Sequence, residues 1–183
     1  MAATFSAEDS ATLLRIAGRA ILCRVSEEHY ECELPTGEAL NACRGCFVTI
    51  TQNGRLRGCI GNFTTDRPLY REVAEMAVSA ATRDPRFHPL QPEELDNFSL
   101  SISVLSPLQK ITDIEEISIG THGIYLEKGF QRGVLLPQVA TEYGWGRKTF
   151  LRQTCRKAGL AADAWQASDT DLYIFSATIL QES

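Results

Sequence analysis

Apolar residues recur along the chain at two spacings, which predict separate helices and strands. Helical spacing predicts four helices. Ser6 can cap the first helix, Asp66 and Pro68 precede the second, and Pro137 starts the third. The fourth helix is predicted over Arg147–Ala158, with Gly159 as its stop. Alternating or short apolar runs predict the strands. These are Gly45–Thr51, a returning strand from Arg55, Phe98–Val104, Gly123–Glu127, Gly133–Leu136 and Leu172–Leu180.

Hairpins and helices are therefore interspersed along the chain. No glycine fingerprint of a βαβ unit occurs, so a doubly wound nucleotide-binding sheet is not expected. The pattern instead predicts an α+β fold in which antiparallel strands are flanked by helices.

The first predicted hairpin centres on Asn53-Gly54, a strong signal for a two-residue turn. With these residues in the turn, Ile50 faces Arg57 and Val48 faces Cys59. Alternation then assigns the hairpin residues to two faces. One face carries Cys46, Val48, Ile50, Arg57 and Cys59, and the other face, which is expected to lie in the core, carries Phe47, Leu56 and Ile60.

Within this hairpin, Leu56–Gly61 places a thiol and a guanidinium between two glycines. Glycine weakens a strand and often marks the close approach of a ligand or another backbone. We therefore expect an open approach to Cys59. The alternative is a bulged edge strand with a small buried thiol, because free cysteine is among the most buried residue types.

Composition limits the classes of protein to which the chain can belong. Its 183 residues are 44% hydrophobic, which is sufficient for a full core. A net charge of −5 argues against broad nucleic-acid binding, which draws on basic patches. No stretch approaches the about 20 apolar residues that cross a bilayer, so no membrane insertion is expected. Six cysteines without a signal peptide predict reduced thiols in the cytoplasm, and no cofactor is predicted.

Six segments, spread in order over nearly the whole chain, resemble the AMMECR domain, whose stand-alone form is called AmmeMemoRadiSam system protein A. They are Leu56–Gly61 (LRGCIG), Asp84–Phe87 (DPRF), Ile102–Pro107 (ISVLSP), Gly120–Gly123 (GTHG), Arg132–Ala140 (RGVLLPQVA) and Lys157–Leu160 (KAGL). The resemblance implies a single domain over residues 1–183, with a larger lobe, a smaller lobe and a cleft between them. It also implies two partners, a Memo-type protein and a radical S-adenosylmethionine protein, but no settled biochemical role.

The resemblance also directs attention to particular side chains. Cys59 is expected to act as a nucleophile and His122 as a base, with catalysis itself left open. Arg57, Arg86 and Gln138 are expected to hold a small anionic ligand, since guanidinium groups and helix starts bind anions. An alternative for His122 is a loop residue that only bonds the start of a strand. The alternative for the whole chain is a non-catalytic adaptor that docks onto its partner proteins.

Other polar residues give weaker signals. Cys43 and Cys46 form a C-x-x-C pair that could hold zinc together with Cys59, but no second such pair follows, and no metal site is predicted. Cys155 lies on the apolar stripe of its helix and is expected to be structural. Three cations at four-residue spacing on that helix could meet phosphate or form a solvated face. These are Lys148, Arg152 and Arg156.

Overall fold

Two four-stranded sheets with flanking helices organise the chain, which confirms the predicted α+β class. The computed structural model describes residues 4–182, so the first three residues and the last residue of the predicted domain lie outside the described part. The α-helices are α1 (Ala7–Val25), α2 (Glu38–Asn41), α3 (Leu69–Thr82), α4 (Pro137–Glu142) and α5 (Arg147–Lys157). The strands are β1 (Cys46–Gln52), β2 (Arg55–Asn62), β3 (Ser99–Leu105), β4 (Gln109–Ile111), β5 (Gly123–Lys128), β6 (Gln131–Leu135), β7 (Asp171–Phe175) and β8 (Ala177–Gln181). Short 3-10 helices cover Pro92–Glu94, Ile114–Glu116 and Ala164–Gln166.

The first structural unit consists of residues 4–105 and 178–182. Its sheet has the strand order β2-β1-β3-β8, and α1 and α3 pack on it around a single apolar core. α1 begins with a capping box, because the Ser6 hydroxyl accepts the Asp9 N–H while the Asp9 carboxylate accepts the Ser6 N–H, both at 3.0 Å. The predicted cap and the apolar stripe of this helix are therefore confirmed.

The hairpin of β1 and β2 carries a β-bulge that changes the predicted register. Gln52 faces Arg55 as expected, but Ile50 faces Gly58 and Val48 faces Ile60. The shift lies between Ile50 and Thr51, and it leaves Arg57 as an extra residue on β2 without a partner on β1. The predicted pairs of Ile50 with Arg57 and of Val48 with Cys59 are wrong for this reason.

The predicted faces of β1 were reversed. Cys46, Val48 and Ile50 are fully buried against the helices. Leu56 is 43% exposed, although it was expected in the core. Phe47 is only partly buried on the opposite face, with its ring centroid 4.9 Å from that of Phe63. Of the three expected core residues, only Ile60 packs against the apolar core, because the bulge returns it to the inner face.

The second unit, Ser106–Ala177, contains the sheet with strand order β4-β7-β5-β6. β5 and β6 form the predicted hairpin, and α5 ends at Lys157, two residues before Gly159, which has the positive φ of a helix stop (+74°). Cys155 is fully buried on α5, as expected of a structural thiol. Burial raises the pKa of Cys155.

The predicted closing strand Leu172–Leu180 is two strands that belong to different sheets. β7 joins the sheet of the second unit, and β8 joins the sheet of the first. Ser176 lies between them and is bonded to Ser106 in both directions. The Ser176 N–H donates to the Ser106 hydroxyl at 2.9 Å, and the Ser106 N–H donates to the Ser176 carbonyl at 2.8 Å. These two hydrogen bonds end β7. Within residues 4–182, no helix has the length and apolar character that crossing a membrane requires.

The bulge leads to a test of the two faces of the hairpin. Ile50→Ala should lower the free energy of unfolding by about 2–5 kcal/mol, because it leaves a cavity in the core. Leu56→Ala removes an exposed side chain and should change stability by only about 0.5 kcal/mol. Urea unfolding of both variants measures the difference. A larger loss of stability for Leu56→Ala than for Ile50→Ala would instead indicate the predicted register without a bulge.

Candidate functional site

Cys59 lies in a row of three side chains that crosses the first sheet. Thr49 on β1 faces Cys59 on one side and Ser101 of β3 on the other. The Thr49 hydroxyl donates to the Cys59 sulfur, with 3.2 Å between Oγ1 and Sγ. All three residues are partly buried. Because Val48 and Ile50 point into the core, alternation places this row on the sheet face opposite the helices.

Asp84 fixes the backbone of Cys59 at the edge of the sheet. β2 is an edge strand, and the Cys59 N–H donates to Asp84 Oδ2 at 2.9 Å instead of to a neighbouring strand. The Cys59 carbonyl accepts a longer bond of 3.4 Å from Arg86 Nη2. Asp84 and Arg86 therefore take the place of the missing strand at this residue, which satisfies both of its backbone groups.

Asp84 and Arg86 form a two-pronged ion pair. Nε of Arg86 lies 2.9 Å from Oδ1, and Nη2 lies 2.6 Å from Oδ2. The Asp84 carboxylate is only 4% exposed. The side-chain bond from Arg86 is the largest cause that holds the pKa of Asp84 well below its usual range, and the two backbone N–H bonds act in the same direction against the effect of burial. The same pair raises the pKa of Arg86, so both groups stay charged.

Arg57, the bulge residue, forms hydrogen bonds to other residues of the first unit through all three of its guanidinium nitrogens. Its Nε and Nη2 donate to the two carboxylate oxygens of Glu94 at 2.8 and 2.9 Å, and Nη1 donates to the His88 carbonyl at 2.9 Å. The bond from Arg57 is the main cause of a lowered pKa of Glu94. Phe87 contacts both guanidinium groups, with its ring centroid 6.0 Å from Arg57 and 5.5 Å from Arg86.

The two glycines beside Cys59 make room for the chain's own atoms. A Cβ at Gly58 would overlap the carbonyl oxygen of Ala80 on α3, and a Cβ at Gly61 would overlap the ring of Phe47. Glycine is needed at both positions because helix, ring and strand lie in direct contact. The expectation that these glycines clear an approach to Cys59 is therefore wrong, whereas the alternative of a bulged edge strand describes β2 correctly.

The arrangement of thiols argues against the three-thiolate alternative. Cys46 lies in the core, and burial, reinforced by the Glu72 carboxylate, raises its pKa. Cys59 points to the other face of the sheet, and Cys43 is exposed and donates to the Asp66 carbonyl at 3.3 Å. Across residues 4–182, no three His, Cys, Asp or Glu side chains are grouped so that they could hold a metal ion.

His122 lies just before β5 and is bonded through one ring nitrogen. Nδ1 lies 3.2 Å from both the Ser118 N–H nitrogen and the Glu116 carbonyl oxygen, so it accepts from the first or donates to the second according to its tautomer. The His122 N–H also donates to the Ser118 carbonyl at 2.9 Å. These bonds match the alternative of a loop residue beside a strand. In the part of the chain that the structure describes, Nε2 has no partner.

The predicted site residues divide between the two units. Cys59, Arg57 and Arg86 form one cluster in the first unit, whereas His122 and Gln138 belong to the second unit. Gln138 is exposed in the first turn of α4, a helix of only six residues. Its side-chain amide makes no hydrogen bond to any described residue.

Three residues of the Cys59 cluster were missed in the sequence. Asp84 was not predicted to be a site residue, although its place in the DPRF segment was an available signal. Glu94 lies on a short 3-10 helix and has no recognisable pattern. Thr49 was hidden by the bulge, because a hairpin without it places Val48 opposite Cys59.

Comparison with known proteins bears on the whole chain. The model of the AMMECR1 family matches residues 14–180, which include all five predicted site residues. The chain belongs to the AMMECR1 family. This confirms the resemblance drawn from the six segments.

Individual relatives extend the AMMECR1 match. A protein of Methanothermobacter thermautotrophicus is 42% identical, and the alignment covers 98% of this chain and 97% of the relative. Protein MK0488 of Methanopyrus kandleri is 39% identical, with 96% and 89% covered. The crystal structure of the uncharacterized protein PH0010 from Pyrococcus horikoshii is 39% identical, matches with a TM-score of 0.79, and covers 91% of this chain and 88% of that chain. The sequence family and the fold therefore agree.

The ion pair of this AMMECR1-family chain has a measurable pH signature. Asp84→Asn should lower the free energy of unfolding by about 1–3 kcal/mol at neutral pH, because it removes a charge that Arg86 and the Cys59 N–H bind. The pKa of Asp84 is lowered by folding, so its stabilisation is complete above the unfolded value of about 3.9 and is lost as the pH falls through the folded value. The difference between wild type and variant in urea unfolding should therefore shrink below about pH 4.

Asp96→Asn is the matched control, because Asp96 is exposed and makes no side-chain hydrogen bond or ion pair to the described residues. Its unfolding curve should follow wild type across the pH range. If the free energy of unfolding of wild type exceeds that of Asp84→Asn by the same amount at neutral and at acid pH, the charge of Asp84 is not what stabilises the edge of β2.

Proposed function

We propose that this AMMECR1-family chain binds a small anionic ligand beside Cys59 and acts with a Memo-type protein and a radical S-adenosylmethionine protein. The proposal includes nucleophilic chemistry at Cys59. The observation that supports it is the fixed position of this cysteine: Asp84 and Arg86 bind its backbone, and Thr49 bonds its sulfur. A held thiol next to a cation is a suitable contact for an anion. The two partner proteins are inferred from the family resemblance.

Arg86 is the residue that we propose to contact the ligand. Its side chain is 54% exposed, and Nη1 has no hydrogen bond to residues 4–182. Guanidinium N–H groups bind carboxylate and phosphate oxygens in a geometry that lysine cannot reproduce. Thr49 and Ser101 place two hydroxyl groups in the same row as the thiol, so further hydrogen-bond donors are close to it.

Arg57 has a different role in this proposal. Its side chain is 15% exposed, and all three of its nitrogens are bonded to Glu94 and His88. A ligand would have to displace a carboxylate to reach it, which is costly for a paired and largely buried charge. We therefore propose that Arg57 positions Phe87 beside Arg86. Of the two arginines predicted to contact the ligand, Arg86 is then the one that does so.

His122 as a base and Gln138 as a ligand contact are separate parts of the proposal, which rest on the family resemblance. Binding to His122 Nε2 or to the Gln138 amide would break no hydrogen bond that the described residues make. We also propose that residues 1–183 act as one AMMECR domain. The family match from residue 14 to residue 180 spans both structural units, which supports a single evolutionary domain.

A second candidate function is a non-catalytic adaptor that docks onto the partner proteins. The observation that favours it is the state of the two arginines: Arg57 is neutralised by Glu94 and Arg86 by Asp84. Paired charges of this kind give a rigid polar surface, which suits docking without chemistry. In this account Cys59 is a surface thiol with no reaction of its own.

Alkylation tests the accessibility of Cys59. In the native chain, iodoacetamide should modify Cys59 well before Cys46 and Cys155. Cys59 is partly exposed, whereas the other two are fully buried, and burial raises the pKa of both, which depletes their reactive thiolate. Mass spectrometry of the peptides gives the order of labelling, with exposed Cys43 as the positive control. Labelling of Cys59 no faster than Cys155 would contradict the proposed nucleophile.

Purification from native cells tests the ligand and the partners. The wild-type chain should retain a small anionic molecule and both partner proteins, and Cys59→Ser should lose the small molecule. Cys43→Ser is the matched control, because it makes the same change at an exposed thiol outside the cluster. Mass spectrometry identifies what is bound. If both partners remain on every variant and no small molecule is found on wild type, the adaptor is the better account.

A further inference from the structure

A cavity in the second unit is lined by both cations and apolar residues. It has a volume of about 520 Å³ and lies beside α5. Its cations are Lys148 and Arg152, which lie one helical turn apart on α5. Its apolar lining residues are Ile114, Leu172 and Trp165. Pockets that combine an apolar lining with a few polar groups are typical of small-molecule sites.

The two cations of this cavity are not neutralised. The Lys148 ammonium and the Arg152 guanidinium make no hydrogen bond or ion pair to the described residues. Arg147, their neighbour on α5, shows the contrast, because it lies 2.6 Å from a Glu115 carboxylate oxygen. No aspartate or glutamate lines the cavity. Both side chains are exposed, so this unpaired pair is open to an anion from solution.

Trp165, which lines the cavity, carries an unpartnered donor. Its indole Nε1 is buried and has no hydrogen-bond partner in residues 4–182. Buried donors are nearly always bonded, so an orphaned one calls for an explanation. The ring of Trp165 packs against the core of the second unit. Because Nε1 is buried, an acceptor in the cavity would supply the missing partner only after a shift of this ring.

The remaining lining residues agree with an anionic ligand. Thr112 and Gln166 add a hydroxyl and an amide, both of which can donate to oxygen. The cavity is several times larger than a single phosphate group, so it has room for an apolar group beside its apolar lining residues. A flat apolar group suits these residues, because rings stack on the face of tryptophan.

We propose that this cavity binds a small molecule in which a phosphate or carboxylate oxyanion is joined to a flat apolar group. The oxyanion lies between Lys148 and Arg152, and the flat group lies against Trp165 and Leu172. This site goes beyond the proposed function at Cys59, because it shares no residue with it. It also gives a role to Lys148 and Arg152, two of the three cations at four-residue spacing on α5.

Phenyl phosphate is the probe that tests this site. The chain has two tryptophans, and Trp145 stacks on Tyr143, so Trp145→Phe leaves Trp165 as the only indole reporter. Phenyl phosphate should change Trp165 fluorescence in a saturable way at concentrations up to about 10 mM. Calorimetry on the unmodified chain gives the affinity independently of that substitution. Phenol lacks the oxyanion and inorganic phosphate lacks the flat apolar group, so each should bind at least tenfold more weakly than phenyl phosphate.

Paired charge variants locate the site. Lys148→Gln with Arg152→Gln should weaken phenyl phosphate binding at least tenfold. Arg156→Gln with Lys157→Gln removes the same charge from the last turn of α5, outside the cavity lining, and should leave binding within twofold of wild type. Cys59→Ser should also bind as wild type, so failure of the Cys59 proposal and failure of this one are distinguishable. Absence of saturable binding to wild type, or equal weakening by both charge pairs, would overturn the proposal.

Discussion

The buried carboxylate of Asp84 is the group on which the surroundings of Cys59 depend. An edge strand presents unpaired N–H and C=O groups, and such edges attract other chains. At Cys59 the N–H is bound by Asp84 and the carbonyl by Arg86, while Asp84 and Arg86 bind each other. One carboxylate therefore closes the sheet edge and holds a cation near the thiol. Because it is ionised and nearly inaccessible to water, it retains this role only while its partners remain in place.

The bulge at Arg57 determines which side chains reach each face of the first sheet. It moves Ile60 to the core face and leaves Cys59 opposite Thr49, so a thiol and two hydroxyls share the other face. It also frees Arg57 from pairing with β1, and the guanidinium binds Glu94 instead. A single inserted residue thus separates the packing side chains of the hairpin from its polar ones. Bulges commonly re-aim side chains next to functional sites.

The sequence predicted the elements of this fold better than their contacts. Capping at Ser6, the apolar stripe of α3 and the turn at Asn53-Gly54 are local signals, and each produced the expected element. A bulged edge strand was only the alternative prediction for β2, and the position of the bulge was not predictable, because the turn fixes the register only for the pairs nearest to it. Ser176 ends a strand through a bond to Ser106, which lies far away in the chain. No local pattern encodes that bond.

The candidate site was predictable in part for the same reason. Family-like segments drew attention to Cys59, Arg57 and Arg86, and the structure places these three together. Asp84 lies two residues before Arg86 in the same segment, whereas Glu94, the carboxylate that binds Arg57, comes from another part of the chain and reaches it only on folding. The orphaned indole of Trp165 is likewise invisible in a sequence, because burial and bonding of one atom depend on all its neighbours.

The position of β8 has a consequence for how the chain is made. β3 lies between β1 and β8 in the first sheet, yet residues 106–176 separate β3 from β8 in the chain and are synthesised before β8. Until β8 is made, one edge of β3 has no neighbour, and pairing across such a sequence separation is intrinsically slow. The nascent chain therefore passes through a stage with an open strand that foreign chains can join. Loss of β8 would make that temporary stage permanent.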